Sequence, residues 1–261
     1  MGTKHLKLNN NSDSGSVSER IELLQSDLNV FADAMGFVGA IYFVNLSKSI
    51  SFNNSLVPFD VALKKHDARN NFLFSNDKMR RMRKEFTKKA IKVEPNRQKI
   101  GATNFQIFSY EGDGENVTFC RQVLDKYDVR SRVYCCHFDE ETPNFYSNFL
   151  FMSDHCPDDL RLFTEQNWDE IYHFTRYFHN AVIASRAVPE LNPLTGLGLI
   201  SDRSINVLRL VSDGCSRPDI AKSLYLTERG VDYHVEKLKV FFDAKNNAQL
   251  VACGYKYKLL S

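Results

Sequence analysis

The amino-acid sequence predicts an α+β domain built as an α-β-α sandwich, followed by an all-α domain of four helices. Helical and strand-like patterns alternate over residues 16–186, whereas short helical patterns joined by tight turns occupy residues 200–261. Between them, residues 187–199 contain two prolines and two glycines, a composition typical of a linker. Residues 1–15 are polar and are predicted to form a flexible tail.

The first domain is predicted to begin with a helix and a strand. Ser16 can cap a helix that runs to about Ala34, and Gly36 can end it. The apolar positions of this helix recur at helical spacing and are Ile21, Leu24, Leu28 and Phe31. Residues 37–44 follow as a run of β-branched and aromatic side chains, which favours a strand.

The remainder of the first domain alternates between strands and helices. Extended patterns predict strands at residues 49–52, 106–110, 132–138 and 144–152. Helical patterns fall at residues 58–70, 77–92, 117–127 and 157–186, the last as one long helix. A sheet with helices on both sides predicts the α-β-α sandwich.

The second domain is predicted from its capping residues. Ser201 opens the first helix, and the Asp-Gly pair at residues 213–214 ends it. Ser216 can cap the second helix, with Asp219 as the carboxylate of a capping box. Thr227 can cap the third helix, whose apolar positions are Val231, Val235, Leu238 and Phe242.

The side of the third helix opposite these apolar positions is polar. A short helix whose apolar side packs against its domain while its polar side projects can enter the major groove of DNA. The residues predicted to contact DNA are Ser216, Arg217, Thr227, Arg229, Tyr233, Glu236 and Lys237. Of these, Arg229 and Tyr233 are expected to reach base edges, and Glu236 can accept a hydrogen bond from cytosine. Ser216, Arg217 and Lys237 are expected to hold phosphates.

Residues 200–260 resemble the LuxR/FixJ-type DNA-binding domain. The matching residues are Arg203, Val207, Leu208, Leu210, Gly214, Ser216, Asp219, Ile220, Ala221, Leu224, Thr227, Glu228, Arg229, Val231, His234, Ala248 and Ala252. The chain departs from the family at Ser204, where glutamate is usual, at Gly230, at Asp232, where Lys or Asn is frequent, and at residues 245–247. The resemblance implies a transcriptional regulator that binds double-stranded DNA.

The resemblance also implies a homodimer that reads an inverted-repeat operator. The last helix, at about residues 247–257, is the family's dimer contact. The residues it would contribute are Ala248, Val251, Ala252 and Tyr255. Two-fold symmetry in the protein requires two-fold symmetry in the operator.

The order of elements in the first domain resembles the autoinducer-binding half of quorum-sensing LuxR-type receptors, which implies a sensory domain. The family's signature for acyl-homoserine lactones is missing, because Val61 stands at the Trp position, Lys65 at the Tyr position, and no Asp-Pro pair follows. We therefore expect a small-molecule signal other than a typical lactone, or none. Tyr42, Tyr110 and Tyr134 are candidate ligand contacts, because a buried hydroxyl needs a partner.

Composition excludes several other classes of protein. The net charge is +2, and residues 200–261 carry 10 Lys and Arg against 7 Asp and Glu. No stretch is apolar enough for a membrane span, and the N-terminus lacks the apolar region of a secretory signal, so a cytoplasmic protein is expected. No catalytic motif is present, so neither an enzyme nor a cofactor is expected.

Two other kinds of sensory domain compete with the receptor interpretation. A phosphorylated receiver domain is disfavoured, because residue 55 is Ser and the first strand does not end in paired acids. A PAS- or GAF-type sensor of a non-lactone molecule, placed ahead of the same output domain, is an open alternative.

The six cysteines lack CxxC spacing, and adjacent strand residues such as Cys135 and Cys136 point to opposite faces, so no metal site is expected. The basic run at residues 78–92 predicts a solvated helix face or a contact for an anionic partner.

Overall fold

In the computed structural model, the chain is described at residues 12–46, 51–52, 55–56, 72–96, 105–138, 145–184, 191–196 and 198–260. The predicted helix at residues 58–70, and the positions of Val61 and Lys65, lie outside these ranges. Within them, the first part of the chain contains α1 (Ser12–Ala34), β1 (Gly39–Leu46), β2 (Ser51–Phe52), β3 (Ser55–Leu56), β4 (Phe72–Phe74), α2 (Asp77–Lys89), β5 (Phe105–Ser109), α3 (Glu115–Asp125), β6 (Ser131–Phe138), β7 (Phe145–Ser153), α4 (Pro157–Gln166) and α5 (Trp168–Ala184).

The described strands form a five-stranded sheet and a separate β2–β3 pair. The order of the large sheet is β4-β1-β7-β6-β5, and every neighbouring pair is antiparallel. Tyr42 of β1 lies opposite Phe149 of β7, which lies opposite Cys135 of β6. Since side chains alternate along a strand, these three residues share one face of the sheet, and their neighbours share the other.

Helices cover both faces of the sheet. On one face, α1, α4 and α5 pack against an apolar surface, and Phe31 of α1 stacks on Phe174 of α5 with ring centroids 3.7 Å apart. On the other face, α2 and α3 contribute Met82, Phe86 and Leu124 to a second apolar cluster. The predicted α-β-α sandwich is therefore confirmed.

The second part of the chain is a compact arrangement of four helices. They are α7 (Asp202–Ser212), α8 (Arg217–Ser223), α9 (Glu228–Phe242) and α10 (Asn247–Lys256), preceded by a single turn, α6 (Pro193–Gly196). At Gly254 of α10 an added Cβ would lie 2.6 Å from Leu260 Cδ1, so any larger residue would have to displace the Leu260 side chain. The predicted all-α domain is confirmed.

The described part of the segment that joins the two domains, residues 191–196 and 198–199, is packed against both of them. Leu191, Asn192 and Leu194 are buried, and the apolar clusters of the sandwich and of the helical domain are continuous through them. The ring of Phe145, at the start of β7, lies 6.3 Å from that of Tyr257, which follows α10.

Several elements differ from those predicted, and α1 begins at Ser12, ahead of the predicted cap Ser16 and inside the predicted tail. The single helix predicted at 157–186 is two helices, α4 and α5, which break at Asn167. The Asn167 amide donates to the carbonyl of Phe163 at 2.8 Å and so ends α4. Strands β3 and β4 were not predicted, and α2 ends at Lys89 instead of extending to residue 92. None of the described helices is both long and apolar enough to cross a membrane.

Candidate nucleic-acid interface

The third helix of the C-terminal domain, α9, has a buried side and an exposed side. Val231, Val235 and Leu238 are buried against the other helices. The predicted base contacts Arg229, Tyr233 and Glu236 are exposed on the other side, together with Lys237, and Tyr233 is 62% exposed. The structure therefore brings the predicted residues of α9 to one accessible surface.

Capping residues fix where α8 and α9 begin. The Ser216 hydroxyl accepts from the backbone N–H of Asp219, which is one of the two bonds of the predicted capping box. The Asp219 carboxylate accepts from the Ser216 hydroxyl, whereas a capping box uses the backbone N–H of the first residue. Thr227 Oγ1 accepts from the N–H of Gly230 at 3.0 Å. Because both caps use the side-chain oxygens locally, Ser216 and Thr227 hold the start of each helix at the exposed surface.

The order of helices, their caps and the projecting α9 form a helix-turn-helix. Residues 199–253 match the family model described as bacterial regulatory proteins, luxR family. The C-terminal domain is a luxR-family DNA-binding domain.

Two solved structures resemble the chain over most of its length. One is Escherichia coli SdiA, with 15% identity, a TM-score of 0.43 and coverage of 92% of each chain. The other is SdiA in complex with octanoyl-rac-glycerol, with 14% identity, a TM-score of 0.44 and coverage of 94% of this chain and 93% of that one. No curated protein sequence matches the chain.

Ion pairs cross the exposed surface of the luxR-family domain. Arg217 Nε of α8 lies 2.9 Å from Asp232 Oδ1 of α9, and Lys239 Nζ lies 2.9 Å from Glu236 Oε1. Arg229 has no ion pair with any described residue. The part played by Asp232 was missed in the sequence, although an acid at a position that usually carries Lys or Asn was the available signal.

A buried hydrogen bond joins α7 to the back of α9. Ser204, where the family usually has glutamate, is buried, and its hydroxyl lies 3.0 Å from His234 Nδ1 and 2.9 Å from Ser201 Oγ. Burial lowers the pKa of His234, and the neighbouring cations Arg203 and Lys237 lower it further. A neutral His234 suits this contact, since a hydroxyl can either donate to or accept from a neutral imidazole.

The predicted dimer residues lie along the outer side of α10. Ala248, Ala252 and Tyr255 are exposed, Tyr255 by 50%, and Val251 is partly buried. Leu250 and Gly254, on the inner side, are buried. The small residues on the outer side leave room for another helix to approach.

The three tyrosines predicted as ligand contacts are all buried, but they are not brought together. Tyr42 lies on the sheet face covered by α1 and α5, where its hydroxyl lies 3.0 Å from His179 Nδ1. Tyr110 packs in the layer of α2 and α3, and Tyr134 lies opposite Leu150, on that side of the sheet. The Tyr134 hydroxyl donates to Asn148 Oδ1 at 2.7 Å. Three tyrosines on opposite faces of a sheet cannot line one pocket.

A charged cluster in the α2 and α3 layer was not predicted. Arg132 Nη2 donates to the Tyr110 hydroxyl at 2.8 Å, and that hydroxyl donates to the Glu94 carboxylate. Arg132 and Glu94 also form a buried ion pair at 3.8 Å. Burial, with the nearby Glu94 charge, raises the pKa of Cys120 to about 11. An arginine within the alternating pattern of a predicted strand was the signal for this cluster.

The basic run is partly paired and partly solvated. Glu85 accepts from Lys89, Lys126 and the Tyr127 hydroxyl, and these bonds lower its pKa to about 2. Lys78 pairs with Asp128 at 2.7 Å. Arg81, Lys84 and Lys88 are exposed. In the described part of the chain, no group of three acidic, histidine or cysteine side chains is placed to hold a metal ion.

Proposed function

We propose that this protein is a cytoplasmic transcriptional regulator that binds an inverted-repeat operator as a homodimer. The observation that carries the proposal is the exposed side of α9, where Arg229, Tyr233 and Glu236 project from a helix whose other side is buried. This geometry supports entry of α9 into the major groove, with Ser216, Arg217, Thr227 and Lys237 at the backbone.

The dimer part of the proposal is supported by α10. Its outer side carries Ala248 and Ala252, whose small side chains allow close approach of a second α10. Two copies of α9 related by a two-fold axis would then read two half-sites about one helical turn apart, at roughly 34–36 Å.

The sandwich domain is proposed to be the sensory half. Binding of a small molecule would favour one arrangement of the two domains and so shift DNA affinity. The continuous packing between the domains at Leu191, Asn192 and Leu194 supports such coupling. We propose that the signal is not a typical acyl-homoserine lactone, because the polar residues that would hold its head group have no counterparts in the sequence.

Selection from random duplex DNA tests the proposal directly. Full-length protein should enrich an inverted repeat, and footprinting should place protection over both half-sites. Arg229→Ala should relax the enriched sequence. Arg209 is an exposed arginine on α7, so Arg209→Ala is the matched control and should retain that sequence. Enrichment of no sequence, or of a single unrepeated half-site, would contradict the proposal.

A further inference from the structure

We propose that Asp232 and Glu236 set the DNA specificity of α9. Asp232 holds Arg217 in an ion pair, and Glu236 holds Lys239. A duplex is then bound tightly only where a cytosine amino group lies within reach of these carboxylates. The inference rests on the proposed DNA-binding function and adds the base chemistry of the operator.

The two acids lie on the same side of α9 as the predicted base contacts. Asp232 follows Arg229 by three residues and precedes Glu236 by four, which places all three along one stripe of the helix. Asp232 is 43% exposed and Glu236 is 64% exposed, so both carboxylates reach the surface that would meet DNA. An acid at such a surface repels phosphates unless it is compensated.

Each acid is compensated by a cation that would otherwise attract phosphate. Asp232 holds Arg217 at the first turn of α8, and Glu236 holds Lys239 within α9. The Arg217–Asp232 pair is exposed at both ends, by 62% and 43%, and ion pairs this exposed contribute little to the stability of the fold. Lys239 is only 18% exposed, so Glu236 is the more accessible member of the second pair. We expect both pairs to affect binding, because a cation shared with a carboxylate neutralises less phosphate charge.

Random DNA brings these carboxylates close to phosphates and, at most base positions, to acceptors. Adenine does offer an N6 amino donor, but it lies beside the N7 acceptor of the same base. The cytosine N4 amino group is a major-groove donor with no acceptor on the same base edge, so a carboxylate can accept its hydrogen bond with the least repulsion. Arg229, which has no ion pair among the described residues, remains able to bond guanine. The half-site is thus expected to carry cytosine where Asp232 and Glu236 reach and guanine beside Arg229. Selectivity arises from penalising other sequences as well as from contacts to the right one.

The test measures binding of full-length protein to a selected operator duplex and to a random duplex of equal length, over a range of salt concentrations. Asp232→Asn and Glu236→Gln are the variants. Asp243→Asn is the control, since Asp243 is an exposed acid at the opposite end of α9. Its backbone is left-handed, a conformation that asparagine tolerates.

We expect each test variant to bind random DNA up to about tenfold more tightly at about 0.1 M salt, and to steepen the salt dependence by about one phosphate contact. Operator affinity should not rise by the same factor, so the ratio of operator to random affinity should fall. Repeated selection with each variant should lose a cytosine preference at one position. Asp243→Asn should leave both the ratio and the selected sequence unchanged.

The outcomes separate this inference from the proposed function. If the wild-type protein prefers a selected operator but both test variants behave like Asp243→Asn, the role of the ion pairs is overturned and the proposed function stands. If the wild-type protein prefers no duplex over random DNA, the proposed function fails, and this inference fails with it. Thermal melting of each variant close to that of the wild type shows that the comparison is between folded proteins.

Discussion

Asn192 donates a hydrogen bond of 2.7 Å from its side-chain amide to the backbone carbonyl of Tyr257, across 65 residues of sequence. Its side-chain oxygen accepts from the backbone N–H of Leu194 at 2.9 Å. Asn192 is fully buried, so the segment between the domains is tied to the end of the luxR-family domain by a hydrogen-bonded amide.

Asn192→Leu should therefore destabilise the protein by about 1–3 kcal/mol, because the Tyr257 carbonyl and Leu194 N–H lose their partner in a buried place. Urea unfolding measures the loss, and hydrogen exchange should rise at residues 191–200 and 257–260. Asn206→Leu on the exposed side of α7 is the control and should change stability little. Equal stability of the two variants would contradict a stabilising role for the Asn192 hydrogen bonds.

Stability should fall on mild acidification because of His137. Burial, then electrostatic repulsion from the neighbouring His179 and Arg176, lowers the pKa of His137 from 6.5 to about 4. The unfolded chain then takes up the proton first, so this contribution is intact above pH 6.5 and is lost as pH falls from 6.5 towards 4. His137→Gln should flatten the decline in urea unfolding free energy between about pH 7 and pH 5. An unchanged slope would assign the decline to other groups.

Arg229 and Arg217 should differ in how their loss affects DNA binding. Arg229→Ala should cost about 1–3 kcal/mol on the operator and relax the sequence preference, since a base contact is removed. Arg217→Ala should weaken operator and random DNA alike and make the salt dependence shallower, since a phosphate contact is removed. Binding titrations on both duplexes distinguish these patterns. Equal loss on both duplexes for Arg229→Ala would reject its role at a base edge.

Ala252→Arg should prevent assembly on DNA, because a long charged side chain would occupy the place where a second α10 approaches. Ala252 is exposed in the single chain, so the fold should be retained. Analytical ultracentrifugation of the complex with operator DNA should give one chain per duplex, or none, whereas Ala252→Ser keeps a small side chain and should behave as wild type. A dimer formed by Ala252→Arg would place the interface elsewhere.

Acyl-homoserine lactones should not stabilise the protein. A ligand at 100 times its Kd adds about 2.7 kcal/mol to the native state, which a thermal melt resolves easily. We expect the melting temperature to stay constant with lactones at micromolar concentration. Native mass spectrometry of the purified protein searches for a different bound molecule. Clear stabilisation by any lactone would show that other residues replace the missing anchors.

The sequence was most informative where structure depends on neighbouring residues. The caps Ser201, Ser216 and Thr227 lie where they were predicted, because a capping hydroxyl bonds a backbone group only three residues away. The break at Asn167 was missed because the apolar pattern continues through it, although the Asn167 side chain bonds a carbonyl only four residues away.

Contacts between distant segments were the features that could not be predicted. The pairing of Arg132 with Glu94 depends on how the chain after α2 returns to β6, and the opposite placement of Tyr42 and Tyr134 depends on strand register. Likewise, the exposed side of α9 followed from its helical period, but the ion pair of Asp232 with Arg217 required the angle between two helices.

The packing at the junction bears on how this protein can exchange parts with its relatives. A chimera cut at residue 199 would leave Asn192 and Phe145 facing a foreign segment in place of Tyr257. The smallest segment that could be transferred to another protein therefore runs from Leu191 to Leu260. Even this segment has a surface, at Tyr257, that packs against the start of β7. Recombination should succeed only where the new sensory domain offers a complementary surface, so the two halves of this chain are expected to be inherited together.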